Sequence, residues 1–402
     1  MNVALLTREY PPDTIWGGEA FTYRDLASAL AAKGHEVHVV CQAVGAPRDY
    51  VADGVSVHQV GRDSRSYSAR ARLDYGVRAC LKMREIVKHH RIEVVDGLYE
   101  GTDALLYGFW RLTPLVVQFH GSIRGYIKTT SPLPMIEKAR LKALLFLSDM
   151  TARRADMVVA ISPVAYEELS KVVGVAPRRL KLVYHGRDLA LYRFTPSNIR
   201  ERLGISSSTP LVISIGRLEP RKGTDVLCQA IPEVLPAFPT AKFLLLGRDT
   251  PTGPGGGSFK AFVSEELQAR GVLESTMFID YLPDEELAEL YSACDLVVCP
   301  SRHEIASAIP VEAMAFGKPV VTTAVGIVAE YELDGSNGEI VPIGDPKALA
   351  AGIVRMLRVL STNGGQRTLI AQKNRNIIER HASLTQSADR MAAIYAETLR
   401  DS

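Results

Sequence analysis

Short apolar runs, each followed by a stretch with apolar residues every three or four positions, recur along most of the chain. Strands are expected over residues 3–7, 36–41, 55–60, 94–97, 115–120 and 157–161. A second series is expected over 211–215, 242–246, 276–279, 296–298 and 320–322. Unbroken runs of Val, Ile and Leu suit strands buried on both faces, and a helix after each strand makes the pairing parallel. Gly34 ends the first predicted helix, 19–33. Between the two series, residues 184–209 are rich in polar residues and turn formers. The pattern predicts an α/β chain of two doubly wound, Rossmann-like domains, 1–190 and 191–382, with a hinge near 186–200. A last helix, about 383–399, follows the completed second series and is free to pack on either domain.

Composition narrows the class. At 402 residues the chain exceeds what one core usually holds. Hydrophobic residues make up 47% and charged residues 23%, the balance of a soluble globular protein. A formal net charge of +2 offers no electrostatic case for nucleic acid. Cys41, Cys80, Cys228, Cys294 and Cys299 form no C-x-x-C pair. That pattern disfavours a disulfide framework or a cysteine zinc site and suits a reducing cytoplasm. The start of the chain reads as a first strand rather than a signal peptide. No stretch reaches the roughly 20 apolar residues of a membrane span. A cytoplasmic location is expected.

In open parallel sheets, ligands bind beyond the carboxyl ends of the strands. Four places meet that rule. Trp16-Gly17-Gly18-Glu19 precedes a helix, where two glycines let an anion approach backbone N–H groups. The same residues also suit a plain tight turn, and the dinucleotide fingerprint G-x-G-x-x-G is absent. His120, followed by Gly121, ends a strand, although a lone histidine is commonly structural. Gly216-Arg217-Leu218-Glu219-Pro220-Arg221-Lys222-Gly223 supplies a planar fork in Arg217 and a mobile point charge in Lys222. Those two cations suit a diphosphate, and a solvated basic loop is the alternative. In the fourth, Pro310 suits a first helical position, so a helix is expected to start near Ser307, Ala308 and Ile309. Glu304 then precedes the helix and Glu312 falls in its first turns, one carboxylate on each side of an anion-binding end. Two surface glutamates would give the same spacing.

Together these stretches are more specific than any alone. "GGE", "GRLEPRKG" and "E-x7-E" followed by "AMAFGKPVV" resemble the retaining glycosyltransferases of family 4, which have the GT-B fold with two domains facing a central cleft. The resemblance extends from Thr7 to about Pro342. It implies that Arg217 and Lys222 hold the diphosphate of a nucleotide-sugar, that Glu312 binds the ribose, and that Glu304 binds the transferred sugar. It places His120 beside that sugar near the reacting carbon. Gly17, Gly18, Gly216, Leu282, Ser307, Ala308 and Ile309 complete the implied donor-binding set. The sequence departs from the family at Ile305-Ala306-Ser307, where Gly-Phe-Gly or Ser-Phe-Gly is usual. It departs again at Val325-Gly326-Ile327, where one of two glycines is lost, and at Asp280, usually glycine. The loop 248–258 is longer than usual. These changes surround the donor sugar and base.

The activity implied is transfer of a sugar from a UDP-, GDP-, ADP- or dTDP-sugar to a hydroxyl acceptor, with retained anomeric configuration. No D-x-D motif occurs, so no metal and no other cofactor is expected, and fixed cations take the metal's electrostatic part. A double displacement needs a carboxylate nucleophile at the anomeric carbon, and no residue stands out for it. A sugar phosphorylase or nucleotide-sugar epimerase on the same fold is one rival reading. A non-catalytic nucleotide-sugar-binding protein is another, in which loss of Arg217, Lys222 or either glutamate would be expected. The basic segment 124–154 around apolar residues 141–147 reads as a packed helix with a solvated face, or as a weak contact with anionic membranes. The glycine run 253–257 lacks a P-loop ending and reads as a flexible loop.

Overall fold

The apolar runs fold into two parallel sheets. In the computed structural model, which describes residues 1–14, 18–61, 69–100, 102–130, 134–362 and 364–401, the chain divides into two compact units. The first comprises Met1–Arg124, Leu133–Asp188 and Ala382–Ser402, and the second Gly125–Pro132 and Leu189–His381.

The first unit holds β1 (Asn2–Leu6), β2 (Glu36–Gln42), β3 (Asp49–Ala52), β4 (Val55–Val60), β5 (Val94–Leu98), β6 (Leu115–Phe119), β7 (Met157–Ala160) and β8 (Leu180–Leu182). Their order is β3-β4-β2-β1-β5-β6-β7-β8. Val3, Val39, Val94, Val116 and Val159 are fully buried in its core, as expected of strands covered on both faces. The edge strand β3 departs from the all-parallel expectation and runs antiparallel to β4, with Asp49 opposite His58. The helix Leu384–Arg400 adds Ala388, Met391, Ile394 and Tyr395 to the same core. Its Tyr395 hydroxyl donates to the buried Asp96 on β5.

The second unit holds β9 (Leu211–Ile215), β10 (Lys242–Leu246), β11 (Thr276–Ile279), β12 (Leu296–Cys299), β13 (Val320–Thr323) and β14 (Gly338–Val341). They pair in the order β11-β10-β9-β12-β13-β14, all parallel. The helix Pro346–Thr362 turns Leu349, Ile353, Met356, Leu357 and Leu360 toward that sheet, the three-and-four spacing of a single apolar face.

Every strand expected from the sequence is present, to within one residue at each end. β3, β8 and β14 lie outside those expectations, because each is three or four residues long and none is a continuous apolar run. The loop over 248–258 is tied down rather than free. Thr250 donates to the Leu218 carbonyl at 2.7 Å, and Gly253 N–H to that of Gly257 at 2.8 Å.

Candidate active site

Past the end of β9 the backbone makes two approaches that only glycine permits. Gly247, at φ +156°, leaves so little room that a Cβ there would sit 2.0 Å from the Gly216 carbonyl oxygen. Gly223, at φ +69°, would place one 2.0 Å from the carbonyl of Pro300. These contacts press the turn Pro220–Lys222 against the segment that follows β12. Lys222 Nζ thereby lies 2.6 Å from Glu304 Oε1, and Arg221 3.2 Å from Glu304 Oε2. Ser301 Oγ donates to the same carboxylate at 3.0 Å. Behind them the buried Glu219 pairs with Arg221 at 2.8 Å and with Arg217 at 3.3 Å.

Three cations therefore share two carboxylates, leaving one formal positive charge over. Burial raises the Glu304 pKa, but the charges of Lys222 and then Arg221 outweigh it and hold the group below the usual range. Burial lowers the Arg221 pKa, and Glu304 and Glu219 more than reverse the effect. Each charge is fixed by its opposite, as preorganised electrostatic sites require.

The helix that follows β12 runs from Ala308 to Ala315, so Pro310 is its third residue rather than its first. The physical reason lies one step earlier. Ser307 takes the left-handed conformation at φ 55° and turns its hydroxyl onto the Val325 carbonyl at 2.8 Å. A Cβ on Gly326 would sit 2.3 Å from that hydroxyl. The one glycine kept in Val325-Gly326-Ile327 is thus the one that Ser307 needs.

Lys222, Glu304, Ser307, Ala308 and Ile309 line one cleft of about 340 Å³, floored by Ile215 and Thr322. Gly216 adjoins it in sequence, and Arg217, on the rim of the charged cluster, has 58% of its side chain exposed. Glu312 lies further along the helix and accepts from the Tyr291 hydroxyl at 3.0 Å. The buried Tyr291 ring stacks on Phe316 at 5.0 Å. Leu282 sits in the segment between β11 and the helix Asp284–Ala293, outside the cleft lining.

In the first unit, His120 directly follows β6. Its ring lies 4.3 Å from that of His185 and 5.4 Å from that of Tyr23. Burial, helped by the Arg187 charge, pushes the His120 pKa down to about 3. Burial, then His120 and Arg187, hold His185 well below its usual value. Both rings are neutral at ordinary pH. Among the described residues, His120 Nε2 is buried without a hydrogen-bond partner. Nearby, Gln118 donates to Asp96 at 2.6 Å. Burial raises the Asp96 pKa to about 7, against the opposing hydrogen bonds of Tyr395, Gln118 and Tyr23. Gly18 opens the helix Gly18–Ala32, while Gly17 lies outside the described residues.

Sequence reasoning passed over Arg221, Glu219, His185, Arg187 and Asp96. Arg221 and Glu219 stand inside the quoted motif, and their roles emerge only when the turn is folded. Asp96 lies on β5, while His185 and Arg187 share the loop after β8, and nothing in the sequence pattern marks the three as neighbours of His120. The basic segment contains the helix Met135–Arg154, with Met135, Ile136 and Phe146 exposed. Arg124 is neutralised by Asp149 and Glu168. No helix among the described residues is long and apolar enough to cross a membrane.

Residues 16–191 match the family model described as Glycosyltransferase Family 4. Residues 196–382 match the one described as Glycosyl transferases group 1. An uncharacterized glycosyltransferase of Methanocaldococcus jannaschii is 26% identical over 95% of both chains. The sucrose-phosphate synthase of Thermosynechococcus elongatus superposes over the whole of both chains with a TM-score of 0.81 and 21% identity. Anabaena HepE in complex with UDP-glucose does so over the whole of both chains with a TM-score of 0.73 and 20% identity.

Proposed function

The chain is a family 4-like glycosyltransferase with the GT-B fold, and from that premise we propose that it moves a sugar from a nucleotide-sugar to a hydroxyl acceptor, without a metal and with retained configuration. The observation that carries this reading is Glu304 held against Lys222 and Arg221 at the mouth of the cleft. A leaving nucleoside diphosphate gains negative charge as the glycosidic bond breaks. Lys222, with Arg221 behind it and Arg217 on the rim, meets that charge with groups already oriented, which is where electrostatic catalysis acts most strongly. The N–H groups at the start of the helix Ala308–Ala315 add donors for phosphate oxygens.

Glu304 is an ionised acceptor held rigid by three partners, which suits it to hydroxyls of the transferred sugar. Glu312, with one oxygen fixed by Tyr291, offers its carboxylate to the ribose diol. His120 presents a neutral ring whose unpaired Nε2 serves a substrate hydroxyl. Retention follows when the acceptor attacks from the face that the diphosphate leaves, with a phosphate oxygen taking its proton. That HepE binds UDP-glucose makes UDP-sugars the first donors to try.

The test is a thermal-shift screen of UDP-, GDP-, ADP- and dTDP-sugars in EDTA. A ligand at 100 times its dissociation constant stabilises a protein by about 2.7 kcal/mol. One nucleotide class should raise the melting temperature without added metal. A shift that appears only with magnesium or manganese would remove the metal-independent step, and turnover of the donor with no sugar acceptor would favour a phosphorylase or epimerase.

A further inference from the structure

The edge of the first sheet gathers groups that the proposed transfer does not use. Glu36 and His38 alternate on β2, so both point to one face of the sheet. β4 supplies His58, β3 supplies Asp49, and His90 follows the helix Ala69–His89. The His38 ring stacks on His58 at 5.3 Å and lies 4.3 Å from His90.

A line of contacts runs through them. Asp49 Oδ2 is 3.0 Å from His58 Nδ1, His58 Nε2 is 3.0 Å from His38 Nδ1, and His38 Nε2 is 3.1 Å from Glu36 Oε1. Both ends are carboxylates, which only accept. The His58–His38 and His38–Glu36 contacts are hydrogen bonds, whereas Asp49 and His58 are only close, His58 Nδ1 being buried without a hydrogen-bond partner among the described residues. At the Asp49 end, Lys82 Nζ stands 3.3 Å away and supplies charge. At the Glu36 end a second imidazole converges instead, with His90 Nδ1 3.8 Å from the same oxygen.

We propose that Glu36, His38 and His90 bind a divalent metal ion of the zinc class. One ligand atom from each lies within 4.8 Å of the others. Zinc bonds of about 2.0–2.2 Å give a tetrahedral edge of about 3.4 Å, and the separations of 3.1 and 3.8 Å lie on either side of it. Two histidines and a glutamate leave the fourth position to water. With the ion bound, His38 Nδ1 donates to His58 Nε2 and leaves His38 Nε2 bare for the metal, the part that outer partners play around metal-bound histidines. Glu36 and His90 are half exposed, which gives the ion a way in. The bound ion fastens the end of the helix Ala69–His89 to β2. None of its ligands belongs to the cleft of the second unit, so chelation removes this ion without stopping transfer.

The experiment uses the full chain without a histidine tag, stripped with EDTA, dialysed, and titrated with zinc by calorimetry. A parallel titration with cobalt is followed by visible absorption. One ion per chain is expected, with the intense visible bands of four-coordinate cobalt. His90→Ala and Glu36→Gln, both on the surface, should keep the melting temperature of the stripped protein and bind at least tenfold more weakly. His58→Gln, which touches no metal, should weaken binding by about 10- to 100-fold. Failure of the parent chain to take up one equivalent would overturn the assignment. So would unchanged affinity in either His90→Ala or Glu36→Gln.

Discussion

His120 and Glu304 both lie beyond the carboxyl end of a parallel strand, yet their surroundings are opposite. His120 sits among a second histidine, a tyrosine and an arginine, is stripped of water, and is neutral. Glu304 is equally enclosed but stays ionised, because Lys222 and Arg221 supply more than burial takes away. Burial, helped by the Arg187 charge, decides the state of the first group, and compensated charge decides that of the second. A site that stabilises a leaving diphosphate needs the second arrangement. One that offers hydrogen bonds to sugar hydroxyls at any ordinary pH works with the first.

The comparison breaks most readily at Lys222. Lys222→Ala removes the cation nearest the cleft, and kcat should fall by roughly two to three orders of magnitude, the scale for losing one preorganised stabiliser. The fold should persist, since Lys222 lies on the turn Pro220–Lys222 and belongs to neither apolar core. Steady-state kinetics with the donor found by thermal shift provides the check, and near-normal turnover would place the diphosphate elsewhere.

A smaller effect is expected at Glu312, where affinity rather than chemistry is at stake. A hydrogen bond to a charged group contributes about 1.5–3 kcal/mol, so Glu312→Gln should weaken the bare nucleoside diphosphate by roughly 10- to 150-fold. Calorimetric titration measures it directly. Unchanged binding would remove the ribose from Glu312.

The smallest effect sharpens the neutral side of the comparison. Asp96 has its folded pKa raised to about 7 by burial. A raised carboxyl pKa adds stability that is complete below about pH 4 and is lost as pH rises through 7. The stability advantage of the parent chain over Asp96→Asn should therefore shrink across that window. Urea melts at pH 4.5 and 7.5 test it, and an advantage that grows with pH would mean that Asp96 is ionised when folded.

Long apolar strands made the architecture readable, because a run such as Leu211–Ile215 fits one place in a parallel sheet. Short strands such as β8 carry too little pattern to be seen. At the site, the motif singled out Lys222 with Arg217 and Glu304 with Glu312, and left unseen the pairing of Lys222 with Glu304. It did not reveal that Arg221 points inward while Arg217 faces solvent. That difference depends on the buried Glu219 and on the close approach at Gly223, which are properties of the folded turn. The left-handed Ser307 was hidden for the same reason. Its partner Gly326 lies on another loop, and the two read as separate departures from the family pattern until they are seen in contact.

The central claim is that the Lys222–Glu304 pair marks the seat of the diphosphate. Calorimetric titration of the parent chain, Lys222→Ala and Glu304→Gln with the bare nucleoside diphosphate, all in EDTA, tests it most directly. The account predicts one site per chain, binding at least tenfold weaker in Lys222→Ala, and binding at least as tight as the parent in Glu304→Gln, because removing the resident carboxylate frees its cations. Equal affinity for the parent and Lys222→Ala, or weaker binding in Glu304→Gln, would contradict it.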